Sequence, residues 1–373
     1  MSSIFGKSLK ISVFGESHGP AIGVVIDGLP SGILLDFEAI GKEMGRRKPS
    51  LNAYSTKRSE PDEVEIISGV LNGRTTGTPL CAIIRNQDTR SQDYDEMQRL
   101  LRPGHADYTG FVRYKGYNDV RGSGHFSGRL TAPIVFAGAV ASQILKIRDI
   151  YIGSHIDEIY DVKDVGFDRT GVSKEQLMIL KEMDLPVNDM SCRNEYLEVI
   201  EKAKSNGDSV GGVIEAAIIG LPAGLGSPIF DNVEAKLSSF LFSIPAVKGV
   251  EFGEGFNITK LFGSEANDSF YLDEGKVRTR TNNNGGINGG ITNGMPVILR
   301  VAIKPTSSIS IKQNTVDIKS HEEAVLKVRG RHDACIVPRA VPVIEGACAI
   351  AVLDMLIGQF GIEYFGEGEI KNG

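Results

Sequence analysis

The segment that decides the fold is Leu130 to Leu145, LTAPIVFAGAVASQIL, which contains no charged residue. As a helix it would be apolar on nearly every side, and so would a second stretch from about Pro342 to Phe360. Such helices are stable only where other elements cover them on several sides. At 16 residues, the first stretch is also shorter than the roughly 20 residues of a membrane-spanning helix. We therefore interpret it as a buried core helix.

Strands elsewhere in the chain could cover these helices. Capping patterns predict helix starts at Asp36, Ser173 and Asp231. We predict an α+β fold, a β-α-β sandwich in which a central helical layer is enclosed by antiparallel sheets. Alternating and β-branched residues predict strands near Lys10–Phe14, Gly23–Asp27, Val64–Val70, Leu80–Arg85, Gly212–Ile219 and Met295–Lys304.

A weak internal repeat links the two halves of the chain. Residues 23–32, GVVIDGLPSG, are echoed by residues 212–224, and each copy precedes a predicted Asp-capped helix. The offset between the copies changes along the chain, so insertions would separate them. Since no Pro/Ser-rich linker marks a boundary, we predict one domain over 1–373 with halves of roughly 1–150 and 205–373. The sequence leaves open whether the duplication is real.

Composition excludes several classes of protein. Lys and Arg number 41 against 47 Asp and Glu, a net charge of −6, which argues against a general binder of nucleic acid or anionic membranes. The first residues, MSSIFGK, contain no signal-peptide h-region. Reduced thiols in a cytoplasmic protein are predicted, because no CxxC pair occurs among Cys81, Cys192, Cys335 and Cys348.

Histidines beside glycines are the first candidates for chemistry. His18, His105 and His332 each lie in a polar, Gly-bearing segment, where a tight backbone turn can present the ring to a ligand. The alternative for any one of them is an exposed or capping histidine. Three separate loops give no metal-ligand spacing, so no metal is predicted.

Arginines recur in the same settings. In an acidic protein, guanidiniums next to glycine turns favour a pocket for a small polyanion with phosphate or carboxylate groups. For Arg46 and Arg47, which end a predicted helix, a favourable helix-dipole effect is the alternative. Arg331 and Asp333 would face the same way in an extended segment, placing a possible base beside an anion anchor. The other arginines of this kind are Arg102, Arg121 and Arg129.

Two further segments could contact a ligand. Residues 304–308, KPTSS, follow an apolar strand and offer one cation, three hydroxyls and backbone amides, as phosphate-binding loops do. Residues 282–290, NNNGGINGG, could form a mobile loop or a platform for a flat ligand. An ordinary polar turn is the alternative for the first segment.

The pattern GESHG at 15–19 matches the GxSxG elbow of serine hydrolases, with Ser17 as nucleophile. The elbow requires a helix next, whereas a β-branched run follows here at Val24. A serine hydrolase is therefore a weaker hypothesis, and a non-catalytic flavin or phosphate-binding protein is another.

Taken together, these motifs resemble those of chorismate synthase. In chain order they are GESHGP (15–20), DGLP (27–30), RPGHAD (102–107), SGRLT (127–131), KPTSS (304–308) and GRHD (330–333). The resemblance implies a carbon–oxygen lyase that eliminates phosphate from 5-enolpyruvylshikimate 3-phosphate in an anti-1,4 sense, the last shared step of the shikimate pathway toward aromatic amino acids. It also implies a homotetramer and reduced FMN, which would lend an electron as phosphate leaves and recover it later.

The resemblance implies roles for individual residues. His18 would assist phosphate departure, His105 would protonate the reduced flavin, and Asp333 would help take a proton at flavin N5. Substrate contacts are predicted for Arg46, Arg47, Arg102, Ser127, Arg129 and Arg331. FMN contacts are predicted for His125, Phe126, Ser127, Ala246, Gly289, Lys304, Pro305, Thr306, Ser307, Ser308 and Arg331. The sequence does not decide whether NADPH reduces the flavin on this protein or an external flavin reductase supplies it.

This chain departs from the family pattern at a few positions. The family usually has Arg-Ser-Ser-Ala-Arg where residues 125–129 here read HFSGR. An arginine expected six residues after Arg47 is Ala53, with Arg58 nearby, and many members have Asn at Pro245. We expect activity with an altered pocket rim.

Overall fold

The computed structural model describes residues 3–48, 61–87, 99–328 and 333–366. The strands are Ile4–Phe5 (β1), Lys10–Gly15 (β2), Ala21–Asp27 (β3), Val64–Ser68 (β4), Val70–Leu71 (β5), Arg74–Thr75 (β6), Leu80–Arg85 (β7), Tyr151–Ile159 (β8), Val162–Lys163 (β9), Gly212–Ile219 (β10), Val247–Phe252 (β11), Phe270–Asp273 (β12), Lys276–Thr279 (β13), Ile287–Asn288 (β14), Ile291–Thr292 (β15), Val297–Ile303 (β16), Gln313–Asp317 (β17) and Glu322–Leu326 (β18). The α-helices are Phe37–Arg47 (α1), Asp107–Tyr114 (α2), Thr131–Lys146 (α3), Lys174–Lys181 (α4), Met190–Ser205 (α5), Val233–Leu241 (α6), Gly263–Ala266 (α7) and Val337–Phe360 (α8).

Two five-stranded antiparallel sheets form the outer layers. The first has the strand order β1-β2-β3-β7-β4, and the second has the order β11-β16-β10-β8-β9. In β3, Ile22, Val24 and Ile26 are buried, because alternate residues of a strand face the same side. All six predicted strands are present, whereas β1, β8, β9 and β11 of these sheets were not predicted.

The helices α3 and α8 fill the space between the sheets. α3 contacts strands of the first sheet, and α8 contacts β8 and β10 of the second. The two helices pack closely because a Cβ on Gly138 would lie only 2.2 Å from the Cα of Gly346. The predicted α+β sandwich with a central helical layer is therefore confirmed.

Both apolar helical segments, 121–146 and 337–360, pass a length and composition test for a membrane span. Their most apolar windows are 83% and 94% buried inside the protein. Burial between two sheets accounts for their composition, since a helix covered on all sides needs no polar face.

Two of the three predicted helix caps are confirmed. Asp36 accepts from the backbone N–H of Ala39, and Ser173 caps α4 in the same way. The prediction for Asp231 is wrong. Asn232 caps α6 by accepting from Ala235 at 2.6 Å, because the chain enters the helix one residue later, and Asp231 pairs with Lys7 instead. The last long helix also starts earlier than predicted, at Val337.

The two halves share one arrangement of elements. The order β2-β3-β7-β4 in the first sheet corresponds to β8-β10-β16-β11 in the second, with α1 and α3 matching α6 and α8 along the chain. A duplicated chain would give this arrangement. Its second copy would begin at β8, before residue 205, and the division into halves stays a prediction.

Candidate active site

His18 lies in the turn between β2 and β3. The side chain is 9% exposed, and its Nδ1 lies 3.0 Å from Ser17 Oγ. The backbone N–H of Ser17 donates to Gly124 at 3.1 Å, so the segment 121–126 closes over this turn. Gly122 has a φ of +55°, and a Cβ there would lie 2.1 Å from the His18 ring. The glycine is therefore required by both backbone conformation and space.

The segment 121–126 is a distorted 3-10 turn. Gly122, Ser123 and Gly124 all have positive φ, with Ser123 at +73°. Left-handed backbone is costly for residues other than glycine, so surrounding contacts hold it. His125 supplies one of them, since its Nδ1 lies 2.9 Å from the carbonyl oxygen of Gly15 and can donate to it. Phe126 packs instead beside Tyr114 of α2.

Arg102 connects three of the predicted motifs. Its guanidinium donates to both oxygens of Asp107, at 2.8 and 2.7 Å. It also donates to Ser123 at 3.1 Å and to Ser308 at 3.3 Å. His105 joins the same group, because its Nδ1 lies 2.6 Å from Asp107. The structure thus brings together segments 102–107, 121–126 and 304–308.

The segment 304–308 lies against the turn that precedes His105. Lys304 Nζ donates to the carbonyl oxygen of Gly104 and to Ser307, and Ser307 Oγ donates to the same carbonyl at 2.8 Å. Burial and the nearby Lys248 lower the pKa of Lys304. Within the described part of the chain, the buried Oγ1 of Thr306 has no hydrogen-bond partner. A cation beside hydroxyls, one of them unpartnered, fits an oxyanion such as a phosphate group.

Ala246, in the turn that directly precedes β11, supports this segment. Its carbonyl oxygen accepts from the backbone N–H of Lys304 at 2.9 Å. Its φ of +75° is unusual for alanine. This strained backbone adjoins a register irregularity between Val247 and Gly249, so the chain bends where it meets the predicted cofactor segment.

A buried carboxylate, Asp62, holds two predicted substrate arginines. Its oxygens accept from Arg47 Nη2 at 2.6 Å and from Arg129 Nη1. Asn86 accepts from Arg129 Nε at 3.2 Å and donates to the carbonyl oxygens of residues 16 and 19. The arginines and the His18 turn are therefore parts of one network.

Burial and the negative charge of Asp62 shift the pKa of Arg47 in opposite directions. Burial lowers the pKa of Arg47 to about 10, helped by the neighbouring Arg339 and Arg129, while Asp62 opposes the fall. Burial raises the pKa of Asp62, but the two arginines outweigh it, and that pKa is lowered. Arg47 Nε is buried with no partner among the described residues. A donor left over in a cationic site is available to an anionic ligand.

Asp333 is connected to the same network through Arg339. The guanidinium of Arg339 donates to Asp333 Oδ2 at 2.5 Å and to the backbone carbonyl oxygen of Arg47 at 3.0 Å. Sequence reasoning missed Asp62, Asn86, Asp107 and Arg339. For Asn86 a signal existed, because it directly follows the predicted strand Leu80–Arg85.

Some predicted site residues have other contacts or exposure in this structure, and their ligand contacts stay predictions. Arg46 is held by the buried Glu345, at 2.5 Å, and by Glu43. Ser127 Oγ caps the next turn by accepting from the backbone N–H of Arg129, and Pro305 is exposed. The predictions for Arg331, His332, Ala53 and Arg58 fall outside the described residues.

Among the described residues, nothing lies within 4 Å of a Cβ placed on Gly289, so the 304–308 segment does not contact that position. Gly289 lies in the turn of the β14–β15 hairpin with a φ of +61°. Gly286, just before that hairpin, lies close to Pro296, since a Cβ there would be 2.4 Å from the Pro296 carbonyl oxygen. Pro296 precedes β16, whereas Lys304 follows that strand. The seven residues of β16 span roughly 20 Å, and this length separates Pro296 from Lys304. The flavin contact of Gly289 stays a prediction.

The hydrolase hypothesis is not supported. Ser17 is wholly buried, and the antiparallel strand β3 follows it where an elbow needs a helix. The motif is therefore a tight strand-to-strand turn.

Comparison with known proteins agrees with the motifs in this site. A family model described as chorismate synthase matches residues 9–357. Chorismate synthase from Thermococcus kodakarensis is 48% identical over 352 residues, covering 94% of this chain and 97% of that protein. The protein of the same name from Dehalococcoides mccartyi is 44% identical over 357 residues, covering 96% and 97%. A crystal structure of chorismate synthase superposes with a TM-score of 0.76 at 30% identity, covering 96% of this chain and 94% of that one. The chain therefore belongs to the chorismate synthase family.

Proposed function

We propose that this chain catalyses the reaction of its family, the anti-1,4-elimination of phosphate from 5-enolpyruvylshikimate 3-phosphate to give chorismate, with reduced FMN as cofactor. One observation carries the proposal. Arg102 touches the His105 motif, the turn over His18 and the 304–308 segment at once. The predicted acid His105 and the predicted cofactor segment both contact this guanidinium, and it also contacts the turn that covers His18, which supports one shared site.

The substrate suits the cations of this site. It carries one phosphate and two carboxylates, and guanidiniums bind such groups through paired hydrogen bonds. Arg47, Arg102 and Arg129 are buried, so contacts with them would be little weakened by solvent. We assign substrate binding to these three.

The cofactor fits the segment 304–308. The unpartnered hydroxyl of Thr306 and the third N–H of Lys304 would hold the phosphate of FMN, and Ser307 would join them if its hydroxyl turned away from the carbonyl oxygen of Gly104. When bound, reduced FMN supplies the electron density that departure of the substrate phosphate requires. The chain's own residues bind, orient and move protons.

Protons would be moved by the two histidines and Asp333. Ser17 engages His18 at Nδ1, so Nε2 would give a proton to the leaving phosphate. His105 would keep the cofactor in its protonated form, and Asp333, oriented by Arg339, would accept a proton released later. General acids and bases of this kind contribute about 10²–10⁴-fold to a rate.

The assembly and the source of electrons belong to the same proposal. We infer a cytoplasmic homotetramer, as the family resemblance implies. Incubation with oxidised FMN and NADPH, without any other protein, separates the two sources of reduced flavin. Chorismate formation there indicates that this protein reduces its own flavin, and formation only after chemical reduction indicates an external reductase.

The deciding experiment is anaerobic turnover with chemically reduced FMN. We expect equal amounts of phosphate and chorismate, and a fall in kcat of about 100-fold or more for His105→Ala. The control is Asp273→Asn, which removes an ion pair with Arg278 in the β12–β13 hairpin and should leave kcat unchanged. FMN binding without any turnover would overturn the proposal and leave a non-catalytic flavin protein.

A further inference from the structure

Asp107 is the first residue of α2, and no role has been assigned to it so far. Its carboxylate is 14% exposed and receives four donors from two predicted site residues. Arg102 donates to it through the backbone N–H at 3.0 Å and twice through the guanidinium. The remaining donor is His105 Nδ1, at 2.6 Å. One carboxylate thus fixes both a substrate arginine and a proposed acid.

The contacts determine which nitrogen of His105 carries the proton. Both Arg102 Nη2, at 3.1 Å, and Asp107 Oδ1, at 2.6 Å, approach Nδ1. A carboxylate only accepts, so an unprotonated Nδ1 at 2.6 Å would set two acceptors against each other. Arg102 Nη2 has other acceptors in Asp107 and Ser123. Nδ1 is therefore the donor in this contact.

We propose that Asp107 is a positioning residue that holds His105 as the Nδ1–H tautomer, which makes Nε2 the nitrogen that exchanges a proton with the ligand. The proposal rests on the proposed function for the identity of the ligand, but the tautomer is a property of the protein alone. When Nε2 gives up its proton, the proton goes to the ligand, and the neutral imidazole keeps Nδ1–H on Asp107. The ring thus keeps its orientation and its tautomer from one catalytic cycle to the next.

The carboxylate remains ionised in this setting. Burial raises the pKa of Asp107, but the hydrogen bonds from Arg102 and His105 outweigh burial, and the pKa lies well below its usual range. An ionised acceptor makes the bond to Nδ1 stronger than a neutral one would. An ionised Asp107 therefore maintains the orienting contact at neutral pH.

Asparagine at this position cannot replace the carboxylate. Its single oxygen would be taken by Arg102, which has only donors. Its amide N–H would then face His105 and favour an unprotonated Nδ1. The volume is unchanged, so Asp107→Asn tests the tautomer with little change in packing.

The primary experiment is solid-state NMR on the whole protein labelled with ¹⁵N at Nδ1 of histidine. The His105 signal is the one lost in His105→Gln. At a pH where the ring is neutral, we expect a protonated Nδ1 in the wild type and an unprotonated Nδ1 in Asp107→Asn. An unprotonated Nδ1 in the wild type would overturn the proposal by itself, whether or not the variant folds.

A double-mutant cycle supplies the second measurement. We expect Asp107→Asn to lower kcat by about 100-fold, but by less than about threefold in a His105→Ala background. The asparagine oxygen still accepts from Arg102, so the effect on kcat passes mainly through His105. Equal effects in both backgrounds would overturn the proposal. Absence of turnover in the wild type would contradict the proposed function instead, and the NMR result would still decide the tautomer.

Discussion

Arg47 donates from Nη2 to Asp62 at 2.6 Å, and both side chains are almost wholly buried. The same carboxylate binds Arg129. Two guanidiniums that would otherwise repel each other are thereby held side by side, ready for an anion. Asp62 acts as a fixed counter-charge between the two proposed substrate arginines.

Removal of that charge should weaken both stability and substrate binding. We expect Asp62→Asn to lower the free energy of unfolding by about 3–5 kcal/mol, because it leaves buried cations without a counter-ion. The KM for the substrate should rise, since the arginines are no longer held together. Urea denaturation and steady-state kinetics measure the two effects.

The control is Glu65→Gln, which breaks an exposed pair with Arg85 in the same sheet. Exposed pairs contribute about 0–1 kcal/mol, so the free energy of unfolding should change by no more than that in this variant.

The pKa of Asp62 is lowered in the folded protein. Its contribution to the free energy of unfolding is therefore present above the ordinary carboxyl range and is lost as pH falls through the folded pKa. A fall in KM for Asp62→Asn would show that Asp62 competes with the substrate.

Gly122 should be intolerant of a side chain. In Gly122→Ala the new Cβ would lie 2.1 Å from His18 Nδ1, so the ring must move away from Ser17. Displacement of a catalytic group by about 1 Å can cost roughly 100-fold in rate, and we expect a fall in kcat of that order. Gly128→Ala is the matched control, because nothing lies within 4 Å of a Cβ there. Equal activity of the two variants would contradict the role of His18.

The fold could be predicted where local pattern and burial agree. The helix α3 and the strand β3 show continuous or alternating apolar residues. β8 was missed because Ser154, His155 and Asp157 interrupt its apolar pattern. These polar residues are buried nonetheless, since Ser154 donates to Glu345, 191 residues away. No local pattern reveals such partners.

In the candidate site too, local motifs could be read from the sequence, whereas contacts between distant segments could not. Histidines beside glycines could be proposed from the sequence because backbone freedom and candidate chemistry lie in one short motif. Asp62 and Arg339 were missed because each acts through residues from other segments, such as the link from Arg339 to the Arg47 carbonyl. Arg46 was predicted to bind substrate, but its guanidinium donates to Glu345 of α8, which lies 299 residues away in the chain. No local pattern around Arg46 indicates this partner.

The crossing of α3 and α8 should depend on glycine. We expect Gly138→Ala to lower the free energy of unfolding by about 1–3 kcal/mol, because the added methyl meets the backbone of Gly346. Gly41→Ala on the exposed face of α1 is the control, since its Cβ would meet nothing within 4 Å. There alanine should stabilise by about 0.5–1 kcal/mol. Denaturation curves of both proteins measure the contrast, and equal shifts would contradict the close crossing.

A buried histidine in the second sheet should make stability depend on pH. His155 Nδ1 lies 3.0 Å from Asp164 and Nε2 lies 2.9 Å from Glu215. Burial lowers the pKa of His155, but hydrogen bonds and charge from the two carboxylates outweigh it and raise the pKa to about 9. The ring is therefore an imidazolium at neutral pH, with each N–H on a carboxylate.

A raised pKa fixes the sign of this effect. The stabilisation from protonated His155 is fully present below the ordinary pKa of 6.5 and is lost as pH rises through about 9. We expect the stability difference between wild type and His155→Gln to shrink by about 3 kcal/mol between pH 6 and 10. His321→Asn, in an exposed turn, should show no such trend in urea denaturation at the same pH values. A difference that stayed constant over this range would mean that His155 is neutral in the folded protein.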